Sequence, residues 1–223
     1  KAEINSVERR ATTNNDWTWQ TTATYSRTFA EKHNASLMIG STMEEYNGND
    51  VWGYGEGVPN NSNSMREVNA ATKNRDSEGN SWSSSVMSYL SRFSYNYDSK
   101  YYFTGTFRRD GSSKFMENNK WANFPSASVS WRILNEGFME SAKEVLSDLR
   151  FRAGWGKVGN QGLPTAVYQS NIGQGFYPIG DVVGDTSFPS SMANKDIKWE
   201  TVEDMSFGLD FGLWKNKLSG SLE

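Results

Sequence analysis

Between Met205 and Leu213, apolar Met205, Phe207, Leu209, Phe211 and Leu213 alternate with Ser206, Gly208, Asp210 and Gly212. A repeat of two residues is the period of an extended strand, whose successive side chains point to opposite faces. The segment therefore reads as a strand with one apolar and one polar face. The same period recurs in Leu149, Phe151, Ala153 and Trp155 against Arg150, Arg152, Gly154 and Gly156. It recurs again in Ala127, Val129, Trp131 and Ile133, and in Tyr101, Phe103, Gly105 and Phe107. Weaker cases lie at Trp17, Trp19, Ala23, Tyr25 and Phe29, at Ala35, Leu37, Ile39 and Met43, and at Met87, Tyr89, Phe93 and Tyr95. A last strand starts near Lys217, with Leu218, Gly220 and Leu222 on one side. The reading is all-β, with about eight strands of roughly 9–14 residues, longer than the 5–6 usual in soluble sheets.

The connections sort by length. Strands 17–29 and 34–45, 85–97 and 101–110, and 199–213 and 217–223 are joined by turns of three or four residues, Ala30 to His33, Asp98 to Lys100 and Trp214 to Asn216. Strands 123–133 and 148–157 are joined by a short segment in which Phe138, Met139, Ala142, Val145 and Leu146 fall at helical spacing. The intervening stretches, 46–82, 111–122 and 158–198, read as longer loops, and 1–14 reads as the tail of another. Alternation alone fits any antiparallel sheet with one wet face. Short turns at one end and long loops at the other fit an antiparallel up-and-down transmembrane β-barrel with extracellular loops. Lipid offers no water to backbone groups, so a sheet there must close on itself.

Composition agrees with a barrel wall. Hydrophobic residues are only 36% of the 223, yet aromatic residues reach 14%. Half of each strand faces water in a barrel, while rings collect at the lipid–water boundaries. There is no cysteine, hence no disulfide and no thiolate metal site. A net charge of −3 leaves no basic footprint for nucleic acid. The ends, Lys1 and Glu223, read as cuts within something longer. The alternative reading of the same pattern is a soluble β-sandwich that presents loop aromatics to carbohydrate, as a binding or adhesin-like module.

Particular blocks carry a family resemblance. Phe107 to Phe115 (FRRDGSSKF) is followed by Trp121 to Arg132 (WANFPSASVSWR), then Phe138-Met139 and Leu146 to Gly156 (LSDLRFRAGWG). Gly159-Asn160-Gln161, Lys198 to Thr201 (KWET), Phe207 to Leu213 (FGLDFGL) and Asn216 to Ser221 (NKLSGS) complete the set. As an ordered series this resembles the SusC/RagA type of TonB-dependent outer-membrane transporter, most clearly over 85–223 and more loosely from about residue 17. The resemblance implies that 1–223 is part of the barrel, without plug domain or TonB box. It also implies import of glycan or peptide fragments across the outer membrane of a Gram-negative cell. The implied partners are a SusD-like surface lipoprotein, the TonB complex acting through other parts of the protein, outer-membrane lipid and an oligosaccharide or peptide ligand.

No enzyme constellation is present, and no cofactor or metal is expected. Gly156 to Gly162 (GKVGNQG) lacks the Gly-Lys-Ser/Thr ending of a phosphate loop. Asn74 to Asn80 lacks the glycine and glutamate placement of a calcium loop. His33, the single histidine, is expected to be a solvated turn residue. Glu44-Glu45 and Glu203-Asp204 are neighbours on strands, so each pair splits across two faces and cannot share a site. Trp52, Tyr54, Trp82, Tyr168, Phe176 and Tyr177 lie outside the strand pattern and are candidate loop contacts to ligand or lipoprotein. Arg92, Arg108, Arg132, Arg150 and Arg152 fall mostly on the polar face and are candidate lumen-facing residues, for ligand, for ion pairs with Asp110, Asp148 or Asp210, or for holding the plug that the resemblance implies.

Overall fold

A computed structural model describes residues 5–60, 62–163, 168–180 and 182–223. Among the described residues ten strands form: β1 Ser6–Phe29, β2 His33–Glu56, β3 Lys73–Tyr97, β4 Tyr101–Ser112, β5 Trp121–Arg132, β6 Leu146–Asn160, β7 Ile172–Ile179, β8 Val182–Pro189, β9 Glu200–Leu213 and β10 Leu218–Leu222. Eight of them make one sheet in the order β1-β2-β3-β4-β5-β6-β9-β10, while β7 and β8 form a separate hairpin. The pairs β3–β4, β4–β5, β5–β6, β6–β9 and β9–β10 are antiparallel and join successive strands of the sheet, the pattern of an up-and-down wall. The soluble sandwich fails here, because among the described residues no second sheet covers the apolar face.

The register carries the two-residue period coherently across strands. One row runs Tyr97–Tyr101–Trp131–Phe151–Leu209, the next Tyr95–Phe103–Val129–Ala153–Phe207, and the next Phe93–Gly105–Ala127–Trp155–Met205. This face is exposed: Phe103 is 39%, Phe107 46%, Trp155 38% and Phe207 59% accessible. Phe211 is half-buried because its ring lies across Gly220, the residue opposite it on β10. Such a ring restores contact where glycine has no side chain.

Rings concentrate at two levels. Tyr97, Tyr101 and Trp131 stack in one row at the short-turn end. Tyr89 stacks on Trp121 at the long-loop end, where Trp121 pairs with and covers Gly111. From Tyr101 to Gly111 is ten residues, about 34 Å along a strand. At a tilt of about 40° that is roughly 26 Å along the membrane normal, close to the ~25 Å apolar band of an outer-membrane barrel.

The tight turns use a left-handed backbone without glycine: Ala30 and Glu31 (φ 47° and 57°), Asp98 and Ser99 (49° and 54°), and Trp214 to Asn216 (49° to 62°). Mirror-image turns of this kind match the twist of the strands they join. Neighbouring connections are tied together, with Asp98 N–H donating to Lys32 O at 2.8 Å, Arg132 N–H to Lys100 O at 2.7 Å and Trp214 N–H to Val145 O at 2.8 Å. The segment expected to be helical is a pair of 3₁₀ turns, Ile133–Asn135 and Gly137–Glu144.

Three connections depart from the sequence reading. The expected loop 46–82 is largely strand, since β2 continues to Glu56 and β3 begins at Lys73. Likewise β1 begins at Ser6, inside the stretch read as a loop tail. Residues such as Glu8 to Arg10 and Asn14 to Asp16 are exposed and polar on both faces, so hydropathy shows no alternation there. The loop 158–198 holds the β7–β8 hairpin. Two compact units result, one of residues 1–18 and 44–85, the other of 19–43 and 86–223.

In the first unit, the crossing segment between β2 and β3 carries two 3₁₀ turns, Asn63–Met65 and Val68–Ala70, and lies on β2 where that strand is glycine. A side chain at Gly55 would collide with buried Ala71, and one at Gly53 would touch Val68. Arg75 fastens the segment by donating to Ala71 O at 2.7 Å and Asn69 O at 3.0 Å.

Candidate functional site

Opposite the apolar rows, the sheet carries a polar wall whose side chains come from the intervening positions. Arg92–Thr106–Ser126–Gly156–Asp204 is one row and Ser94–Thr104–Ser128–Gly154–Ser206 the next. Small hydroxyls and glycines fill this middle band. Gly154 and Gly156 sit close to their neighbours, since a Cβ there would lie 3.2 Å from Ser206 Oγ and 3.3 Å from Ser126 Cβ respectively. Larger groups border the band, with Asn96, Tyr102, Ser130 and Arg152 on one side and Leu90, Arg108 and Phe124 on the other.

The five arginines all sit on this wall. Arg108 Nε donates to both oxygens of buried Asp110, at 2.7 and 2.8 Å, and its Nη2 reaches Ser88 Oγ at 3.2 Å. Arg152 makes a two-pronged pair with Asp210, both bonds 2.9 Å, and also donates to Ser221 at 3.2 Å. Arg132 Nε lies 3.4 Å from Asp148. Arg150 shares a row with Arg132 and Asp210 and has a buried Nε without a partner among the described residues. Arg92 is exposed and makes no ion pair among the described residues. The wall balances these guanidinium groups with Asp110, Asp148, Asp204, Asp210 and Glu200 on the same face, and guanidinium is suited to carboxylate and hydroxyl acceptors.

The six candidate aromatics divide between the units. In the first unit, Trp52 and Tyr54 are strand residues of β2, stacked with centroids 5.8 Å apart, and Tyr54 OH donates to Glu56 at 2.9 Å. Trp82, on β3, lies over Gly48. In the second unit, Tyr168 stands before the β7–β8 hairpin, and Phe176 and Tyr177 are 77% and 63% accessible on β7. Five of the six are therefore strand residues and not loop residues. The base of the hairpin is closed by Ser190 N–H to Asn171 O at 2.7 Å and Ser170 Oγ to Ser191 O at 2.6 Å.

Two groupings escaped the sequence reading. Phe115, Phe124 and Trp199 form a buried cluster at the long-loop end, with ring centroids 5.3 and 5.4 Å apart. Trp199 Nε1 donates to Lys120 O at 3.0 Å, and the Phe124 ring occupies the space over Gly159. The cluster pins the loops after β4, after β6 and before β9 to one another. The available signal was Phe124, a large ring at a polar-face position between Ala122 and Ser126. The second grouping is at the opposite end, where the Glu136 carboxylate accepts from Tyr101 OH, from Trp131 Nε1 at 3.1 Å and from Lys100 Nζ at 3.5 Å. These donors, the tyrosine foremost, hold the Glu136 carboxyl below the usual carboxylate range.

His33 is not a solvated turn residue. Its ring stacks on Phe29 at 5.2 Å, its Nδ1 is 2.7 Å from Tyr95 OH, and Tyr97 tilts against it at 4.8 Å. The stretch Asn74 to Asn80 lies on β3, so its oxygens cannot wrap an ion. Lys157 pairs with Glu203 at 3.3 Å across β6 and β9.

An eight-stranded antiparallel sheet with one lipid-compatible face, two aromatic levels and a polar arginine-bearing face defines a segment of transmembrane β-barrel wall. The chain belongs to the TonB dependent receptor-like, beta-barrel family, whose model matches residues 3–223. It is similar to TonB-dependent receptor SusC of Bacteroides thetaiotaomicron, 34% identical over 194 residues, which are 84% of this chain and 18% of that protein. It is also similar to TonB-dependent receptor P3 of Formosa agariphila, 29% identical over 200 residues, 90% of this chain and 20% of that one. Among solved structures, that of the RagAB peptide transporter superposes with a TM-score of 0.83 at 28% identity, covering 96% of this chain and 23% of the other. The chain spans about a fifth of the length of the curated relatives it matches. The resemblance to the SusC/RagA type stands, and with it a place in the outer membrane.

Proposed function

We propose that these residues form part of the barrel of an outer-membrane TonB-dependent transporter that imports nutrient fragments. The observation that carries this is the two-faced sheet: one face suited to lipid, the other a polar wall with Arg92 and Arg150 unpaired among the described residues. A polar wall of hydroxyls, carboxylates and guanidinium groups suits hydrated cargo rich in hydrogen-bonding groups, which describes oligosaccharides and peptides alike. The plug and the TonB box belong to portions of the protein other than 1–223. A SusD-like surface lipoprotein would meet the extracellular end, where Phe176 and Tyr177 are presented on the β7–β8 hairpin.

The test is to disrupt the gene of the intact protein in its host and follow uptake of labelled oligosaccharide and peptide pools. Loss of uptake of one class, restored by complementation, supports import and names the class. Unchanged uptake of both classes, or recovery of the intact protein in the detergent-free soluble fraction, overturns the reading. Affinity purification of the intact protein is expected to bring down a surface lipoprotein encoded by the same host.

A further inference from the structure

We propose that Arg109, on the lipid-facing surface at the outer aromatic level, binds a phosphate group of an outer-leaflet lipid. Arg109 faces the side opposite Arg108. It pairs in register with Tyr89 on β3 and Asn123 on β5, in the row next to Gly111 and Trp121. Its guanidinium carbon lies 5.3 Å from the centre of the Trp121 ring, which is itself stacked by Tyr89 at 5.9 Å. The ring face holds the cation in place without neutralising it.

Among the described residues no carboxylate pairs with Arg109. The outward positions flanking Arg109 are Met87, Tyr89 and Ser91 on β3 and Trp121, Asn123 and Pro125 on β5. Both flanking strands lie inside the sheet. The adjacent Asp110 faces the other way and is taken by Arg108 at 2.7 Å. In the following loop Glu117 pairs with Lys120 at 3.5 Å, and the outward Lys157 is matched by Glu203 at 3.3 Å. Arg109 thus stands as an unmatched cation among aromatic rings, with the Asn123 amide beside it.

Depth decides what meets it. The outer rings mark the top of the ~25 Å apolar band, where a side chain reaches headgroups and not hydrocarbon. Anionic lipid headgroups attract cations at this level. Arginine binds phosphate through two parallel N–H donors, and Asn123 can add a third. The inference rests on the outer-membrane placement and is independent of what the transporter carries.

The test uses the intact protein in mixed micelles, titrated with lipid A, with lipid A stripped of phosphate and with inorganic phosphate, and read by native mass spectrometry of the bound lipid. Arg109→Gln is expected to weaken lipid A binding roughly fivefold, the worth of one cation at a headgroup, and to leave the dephosphorylated lipid unaffected. Arg109→Lys should retain most of the binding, and Trp121→Leu should lose part of it. Unchanged heat-modifiable mobility of each variant on a gel shows that the barrel is intact. Equal lipid A binding by wild type and Arg109→Gln overturns the proposal. So does equal binding of phosphorylated and dephosphorylated lipid, or full displacement of the lipid by inorganic phosphate at matched concentration.

Discussion

Trp199 and Asp50 show how single side chains stabilise parts of this protein that the barrel pattern does not explain. Trp199 fills a buried cluster with Phe115 and Phe124 and donates one hydrogen bond, to Lys120 O. Trp199→Ala should cost about 3–5 kcal/mol locally, as removal of a buried ring does. Trp199→Phe should cost nearer 1 kcal/mol, the net worth of the hydrogen bond. Limited proteolysis of the intact protein in detergent, followed at 113–120 and 158–163, distinguishes them: rapid cleavage for alanine, slow for phenylalanine. Asp50 is buried in the first unit and paired with Arg10 through both Nε and Nη2. The Arg10 guanidinium holds its carboxyl below the usual range of about 4. A lowered folded-state pKa contributes stability that is fully present above the unfolded value and lost as pH falls through the folded one. Proteolytic protection of 57–72 should therefore be flat at neutral pH and decline below about pH 4. Asp50→Asn should lower it at neutral pH and remove the acid-dependent decline. The block Phe115, Phe124 and Trp199 was visible in the sequence only as separate motifs. Their meeting depends on three loops converging, which no periodicity encodes.

At the scale of the strand, parity assigns each position to lipid or to the polar interior, and a one-residue displacement reverses the assignment. Ala127 sits in the middle outward row between Gly105 and Trp155, and Ser128 in the inward row between Thr104 and Gly154. Ala127→Arg should destabilise the intact barrel by about 2–4 kcal/mol, as a cation at mid-bilayer does. Ser128→Arg, one residue on, should cost far less, because its neighbours are polar. Urea unfolding of the intact protein reconstituted in lipid measures both. Parity was legible wherever the two faces differ in polarity, as in β4, β5, β6 and β9. It was silent where water bathes both faces. Hence the outer parts of β1, β2 and β3 read as loop, although they are hydrogen-bonded strand. The 3₁₀ turns of 133–144 were read as helix for a related reason, since i, i+3 spacing does not separate the two geometries.

For the whole molecule, the sheet presents β1 and β10 as its two outer strands and an exposed apolar face between them. Residues 1–223 expressed alone should aggregate in water and stay dispersed only in detergent. A monomeric, cooperatively unfolding product without detergent, by sedimentation and thermal melting, would contradict the placement of that face against lipid. The all-β class, the antiparallel order and the outward rings followed from residue patterns, because burial in lipid on one side alone writes polarity directly into alternate positions. The family followed from ordered blocks whose residues serve turns, glycine–ring pairs and the loop cluster. Other features required the fold. It pairs Arg108, Arg132 and Arg152 with carboxylates while leaving Arg92 and Arg150 unpaired among the described residues, and it brings His33 into an aromatic stack. It also sets Arg109 over the Trp121 ring with no carboxylate partner among the described residues. Each of these depends on which residue of a neighbouring strand lies opposite, and register is set by the sheet as a whole rather than by any one strand.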